Sequence, residues 1–175
     1  MTEVRQVRFS DLSDIKYDMY LAGKQRETDA PVLILQFSGE YRFGSAGNPD
    51  AYFMHAICSV AVIAWEPKAV ILDLSELKYE WGDMLELAFN VPSRQPFLDP
   101  PLRVVVAGPQ CREAIRTLVF GIGSTNTFAD ADWLYEDFDT AWNYVEQKIK
   151  AAPPTNELLA LLGWAESNSK GNTSQ

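Results

Sequence analysis

The residues best suited to recognition chemistry are Glu80, Trp81, Gly82 and Asp83, an indole set among acids in a polar turn, with Tyr41, Arg42 and Phe43 in an earlier turn. A tryptophan at the exit of a central strand hides a large area with few rotors, so Trp81 either anchors a partner or folds back over the core edge. Asp83 suits either a helix N-cap or recognition. Bond-making chemistry finds less support. The sole histidine, His55, falls in mid-helix without the Cys or carboxylate companions that a metal site needs. No G-x-S-x-G elbow is present, and Asp73 and Glu76 do not form a paired-carboxylate site. GIGSTNTF at 121–128 has glycine-flanked backbone donors able to cradle an anion. It lacks the lysine and spacing of a phosphate loop, so it reads as an ordinary flexible loop. No catalytic residue, metal or cofactor is expected.

The elements that must position these turns are read from apolar runs and breakers. IKYDMYL at 15–21 alternates Ile15, Tyr17 and Met19 with polar neighbours, as a half-buried edge strand does, and GKQRETDAP follows as a turn. Val32 to Phe37, bounded by Pro31 and Gly39, is a strand. Asn48, Pro49 and Asp50 open a helix as N-cap, first helical proline and first-turn acid. That helix is apolar nearly all round and runs to Trp65, where Pro67 stops it.

Ala69 to Leu74 is apolar on both faces, hence a central parallel strand. Asp83 caps or opens a short helix through Asn90, and the proline-rich VPSRQPFLDPP segment is a rigid loop. Phe89, Val91, Pro92, Phe97 and Leu98 in or beside that loop either form a partner surface or pack on the core. A strand at 102–108, a helix at 110–120, a short strand at 133–135 and a helix at 138–150 capped by Asp137 complete the alternation. This is an α/β layering: helices cover a mostly parallel sheet of four to five strands. After the AAPPTN break, 157–166 forms a short helix carrying Leu158, Leu159, Leu161, Leu162 and Trp164. It docks either on its own domain or on a second subunit as a homodimer contact. The tail at 167–175 has a disordered composition.

At 175 residues and 47% hydrophobic, the chain supports one core. Its 24 acids against 15 basic residues give −9, a field that repels nucleic acid and anionic membranes. The same field speeds capture of a basic target. The longest apolar run, 51–65, is about five residues short of a membrane span. Two cysteines in apolar surroundings and an N-terminus without a signal-peptide core point to a cytoplasmic protein.

Several weak motifs in order resemble the STAS domain family, named from sulfate transporters and anti-sigma factor antagonists. FSGEYRF resembles that family's first strand and G-E-L-D turn, with Gly39 and Glu40 matching and Tyr41 and Arg42 substituted. ILDLSELKYEWGDM resembles its middle signature, with Asp73, Leu74, Ser75 and Leu77 agreeing. LRVVVAGPQCREAIRTLVF and WLYEDFDTAWNYV resemble the elements that follow, with Asp137 and Ala141 in register. The resemblance implies a single STAS-like domain over 15–150, with an N-terminal extension at 1–14 and a C-terminal helical extension at 151–166.

The family implied is one that acts without catalysis, often by binding a kinase or sigma-factor regulator under control of a phosphorylated serine. That serine would fall at Gly82 or Asp83, so the phospho-acceptor is absent, and Asp83 supplies one negative charge where the phosphorylated form carries nearly two. The expectation is a non-catalytic regulatory or adaptor domain. It binds a protein partner, a regulator or a basic cognate protein, through Tyr41, Arg42, Phe43, Glu80, Trp81, Gly82 and Asp83. The alternative is a small-ligand or enzymatic α/β domain with its site in the same region.

Overall fold

The computed structural model describes residues 2–23, 32–93 and 99–152. The apolar runs form a five-stranded sheet in the order β1 (Lys16–Ala22), β2 (Val32–Glu40), β3 (Ala69–Lys78), β4 (Leu102–Ala107) and β5 (Leu134–Tyr135). β1 pairs antiparallel with β2, and every other pairing is parallel. The mostly parallel α/β architecture is thus the one the alternation of elements demands. α1 (Asn48–Trp65), α2 (Leu85–Phe89) and α3 (Arg112–Phe120) pack with one sheet face, and α4 (Phe138–Ala151) covers part of the other.

The main core lies between α1, α2, α3 and the sheet. Leu33, Leu35 and Phe37 of β2 and Leu72 and Leu74 of β3 meet Met54, Cys58 and Ala61 of α1 and Ile115 of α3. On the opposite face Ala69, Ile71, Val104 and Val106 pack under Ala141 and Val145 of α4. β3 is buried on both faces over its first six residues, as a central parallel strand requires.

Where β2 leaves the core its register with β3 shifts: Gln36 pairs with Asp73, but Ser38 pairs with Glu76. One extra residue of β3 is accommodated there, and the Asp73 carboxylate accepts from both the amide and the hydroxyl of Ser75. The D-L-S signature is therefore a bulge clamp that bends the strand end. Gly108, just beyond β4, lies so close to the Ser75 carbonyl that an added Cβ would collide with it.

Three local expectations are corrected. Tyr17 and Met19 of β1 are exposed, because α1 sits mainly over β2 and reaches the edge strand only in part, Phe53 meeting the Tyr17 ring edge-on at 5.9 Å; Ile15, just before the strand, is buried. Asn48 is the first helical residue of α1 and Gly47 takes the N-cap position without a side-chain bond. Asp83 does not cap α2; Met84, in a left-handed conformation, precedes the helix. Asp137 does cap α4, accepting from the Thr140 amide at 2.8 Å. Phe89 and Val91 are buried, whereas Phe97, Leu98, the 24–31 turn and the segment at 157–166 lie outside the described residues.

Candidate functional site

β2 and β3 are parallel neighbours, so the turns that leave their carboxyl ends emerge at one rim of the sheet. Backbone bonds tie the two turns together. The Gly44 amide donates to the Trp81 carbonyl at 3.1 Å, the Asp83 amide to the Gly44 carbonyl at 3.4 Å, and Gly44 and Gly82 form a parallel bridge. Tyr41 is the wedge between them. Its amide donates to the Lys78 carbonyl at 2.9 Å and its hydroxyl to the Asp83 carbonyl at 2.6 Å.

The Tyr41 ring lies against Gly47 and Gly82, and a Cβ at either glycine would collide with it. Tyr79 meets the ring edge-on, with centroids 5.2 Å apart, and donates its own hydroxyl to the Gly82 carbonyl at 3.0 Å. Burial first, then the neighbouring Tyr79 and carboxylates, push the Tyr41 phenol well above its ordinary range, so it stays a donor. Tyr41 and Gly82 are both buried, and their part in the site is to shape the turn.

This scaffold presents an aromatic pair to solvent. Phe43 is 67% exposed and Trp81 52%, with ring centroids 5.7 Å apart. Trp81 also borders a groove of about 840 Å³ between the β3–α2 turn and α3. Its apolar lining includes Met84, Ala114, Leu118 and Ile122, and its carboxylates are Glu80, Asp83, Glu86 and Glu113. Among the described residues no Lys or Arg lines it. Lys78 reaches Glu80 at 3.4 Å and Arg116 reaches Glu113 at 2.6 Å, while Asp83 and Glu86 have no ion pair among the described residues. The arrangement is an acid-rimmed apolar trough beside two exposed rings.

Arg42 is turned toward the protein itself. It embraces Asp50 at the start of α1 through Nε (2.9 Å) and NH2 (2.7 Å), its amide adds a bond of 2.9 Å, and NH2 reaches the Leu12 carbonyl at 2.5 Å. Ser13 completes the shell, donating to Asp50 at 2.6 Å. Burial pushes the Asp50 carboxyl up, but the hydrogen bonds from Arg42 and Ser13 outweigh it and leave the group below its usual value. This Ser13–Asp50–Arg42 clamp fixes the 41–47 turn on α1. Sequence reasoning took Asp50 only as a first-turn acid, and an arginine eight residues before a helix-opening acid was the available signal.

The remaining polar groups of interest are absorbed by packing. His55 Nδ1 lies 3.0 Å from the Leu87 carbonyl and joins α1 to α2. Cys58 and Cys111 are free, buried thiols, and burial pushes them up to about 12 and about 11. In the 121–128 loop, carbonyls of Ser124 and Asn126 accept from Arg116 at 2.8 and 3.3 Å. Among the described residues no three His, Cys, Asp or Glu side chains group as metal ligands, and no helix is long and apolar enough to cross a membrane.

No protein-family model and no curated protein matches the chain. Among solved structures, the crystal structure of an anti-sigma factor antagonist from Mycobacterium paratuberculosis is similar to it. The two share 20% identity over 75% of this chain and 95% of that one, with a TM-score of 0.48.

Proposed function

We propose that this chain is a non-catalytic regulatory or adaptor domain that binds another protein across the Trp81 rim and the adjoining groove. The observation that carries the reading is the exposed Phe43–Trp81 pair, held on a hydrogen-bonded scaffold beside the acid-rimmed trough. Large rigid aromatics presented to solvent are what binding hot spots are built from. The carboxylates of Asp83 and Glu86, without an ion pair among the described residues, suit a partner segment that mixes basic and apolar side chains.

The resemblance of FSGEYRF and ILDLSELKYEWGDM to STAS motifs supports the same reading, since that family works through protein partners. Residues 81–84, Trp-Gly-Asp-Met, offer no hydroxyl for phosphorylation. A phosphorylation switch at those four positions is thereby absent, and Asp83 supplies a fixed charge in the turn.

The test uses the full chain as bait in extract of its source cells, run beside Phe43→Ala/Trp81→Ala and, as a surface control, Tyr52→Ala on the outer side of α1. The expected result is one protein retained by the wild type and the Tyr52 variant and lost from the double variant. A protein retained equally by all three baits contradicts the proposed site. Stoichiometric binding of a metabolite with no protein captured would move the function to the small-ligand class.

A further inference from the structure

The stretch that leads into β1 is exposed throughout. Every residue from Thr2 to Asp11 is open to solvent, and the apolar side chains among them are Val4, at 89%, Val7 and Phe9. Arg5 and Arg8 stand beside these and have no ion pair among the described residues. Glu3 is the one acid of residues 2–9, so this arm is net positive in a chain of net −9.

The groove beside Trp81 offers the opposite set. Met84, Leu118 and Ile122 give it apolar lining, and the exposed carboxylates of Asp83 and Glu86 likewise have no ion pair among the described residues. Two unpaired cations meet two unpaired carboxylates, and each pair is spaced three residues apart in the sequence.

The arm does not fill the groove of its own molecule, whose lining residues all lie between Tyr79 and Ile122. The chain is pinned where the arm begins. The Leu12 carbonyl accepts from Arg42, the Ser13 hydroxyl donates to Asp50, and the Arg8 amide donates to Asp11 across a 3-10 turn at Phe9–Asp11. Between this anchor and the groove stands the 41–47 turn, with Arg42 on the anchor side and Gly44 bonded to Trp81 on the groove side. The groove of a neighbouring molecule has no such obstacle. Eight extended residues, 4–11, reach at most about 28 Å. That exceeds the length of about 14 Å that nine helical residues give the α3 wall.

We infer that the N-terminal arm, residues 4–9, docks in the acid-rimmed groove of a second copy of this chain. Arg5 and Arg8 face Asp83 and Glu86, and Val4 and Val7 cover the apolar lining. Reciprocal exchange fills both grooves and closes a two-fold dimer. The net charge of −9 opposes any meeting of two copies, so the pairing depends on this local contact. The inference rests on the reading of the groove as a protein-binding surface, and the arm then competes with the partner for it.

Charge-reversal complementation tests the exchange on the full chain alone. Sedimentation equilibrium is run at about 0.15 M ionic strength, where repulsion beyond about 8 Å is screened. Wild type should show a monomer–dimer equilibrium. Arg5→Glu/Arg8→Glu and Asp83→Lys/Glu86→Lys, all at exposed positions, should each weaken it about a hundredfold, because like charges then face each other. Mixed one to one, the two variants should recover the dimer: the acidic arm meets the basic groove, and the basic arm the acidic groove. A wild type that stays monomeric up to about 1 mM overturns the inference. So does a dimer that neither reversal weakens, which assigns assembly to another surface such as the open β1 edge. Two folded, monomeric variants that fail to pair when mixed overturn it as well. The arm variant alone decides should the groove variant fail to fold. No partner protein enters this assay, so a failure here and a failure of partner capture are told apart.

Discussion

The hydroxyl of Tyr41 donates to the carbonyl of Asp83 at 2.6 Å, while the ring fills the space between Gly47 and Gly82. One buried side chain at the end of β2 thus holds the turn at the end of β3. The exposed Trp81 inherits its position from that contact, two residues away.

Tyr41→Phe removes a single buried hydrogen bond and should cost about 1 kcal/mol. The Asp83 carbonyl is left without this donor, so the 79–84 turn loosens. Thermal unfolding should show a modest fall in Tm, and amide exchange at 81–83 should accelerate more than exchange in β4.

Gly82→Ala should be worse than Tyr41→Phe, because the new methyl would stand 2.8 Å from Tyr41 Cε1 and 3.1 Å from the Arg42 carbonyl. Overpacking of this kind costs about 1–3 kcal/mol. Denaturant titration checks the order of the two variants.

The Asp50 clamp makes a pH prediction. Its carboxyl is held below the usual value, so its stabilisation is complete above the unfolded carboxylate pKa of about 3.9 and is lost as pH falls through the lower folded value. Asp50→Asn should lose about 2 kcal/mol at neutral pH. That is less than the 3–5 of fully buried pairs, because the Arg42 side chain is 46% exposed. The gap between wild type and variant should narrow steadily below pH 4, as chemical denaturation across pH would show.

Much of this arrangement could be read from local chemistry. The apolar runs at 32–37, 69–74 and 102–108 predicted strands there, and the double-sided run at 69–74 the central one. Pro67 stopped α1, and Asp137 capped α4 as its position before Phe138 and Thr140 indicated. The meeting of the two turns also followed, since parallel neighbours deliver their carboxyl ends to one side.

What escaped depends on partners distant in sequence. Arg42 and Tyr41 were both read as partner-contact residues, because the sequence does not show Asp50 and Leu12 beside the one or the room that Gly47 and Gly82 leave for the ring of the other. The openness of β1 was hidden for the same reason: its alternation was correct, but burial required knowing how far α1 extends across the sheet. Asp83 was misassigned because a left-handed Met84 separates it from α2.

The acid-rimmed groove predicts that association with the captured partner is steered by charge. Raising ionic strength from about 0.01 to 0.15 M shortens the Debye length from about 30 to 8 Å and should slow association far more than dissociation. Asp83→Asn/Glu86→Gln should reduce that salt dependence in stopped-flow measurements.

The most direct test is the dissociation constant of the captured, purified partner for wild type and for Trp81→Ala, by titration calorimetry at one salt concentration. A hot-spot anchor predicts a loss of about 2 kcal/mol, roughly a 30-fold weaker complex, with Tm unchanged. An unaltered dissociation constant would show that the partner binds elsewhere and would contradict the account.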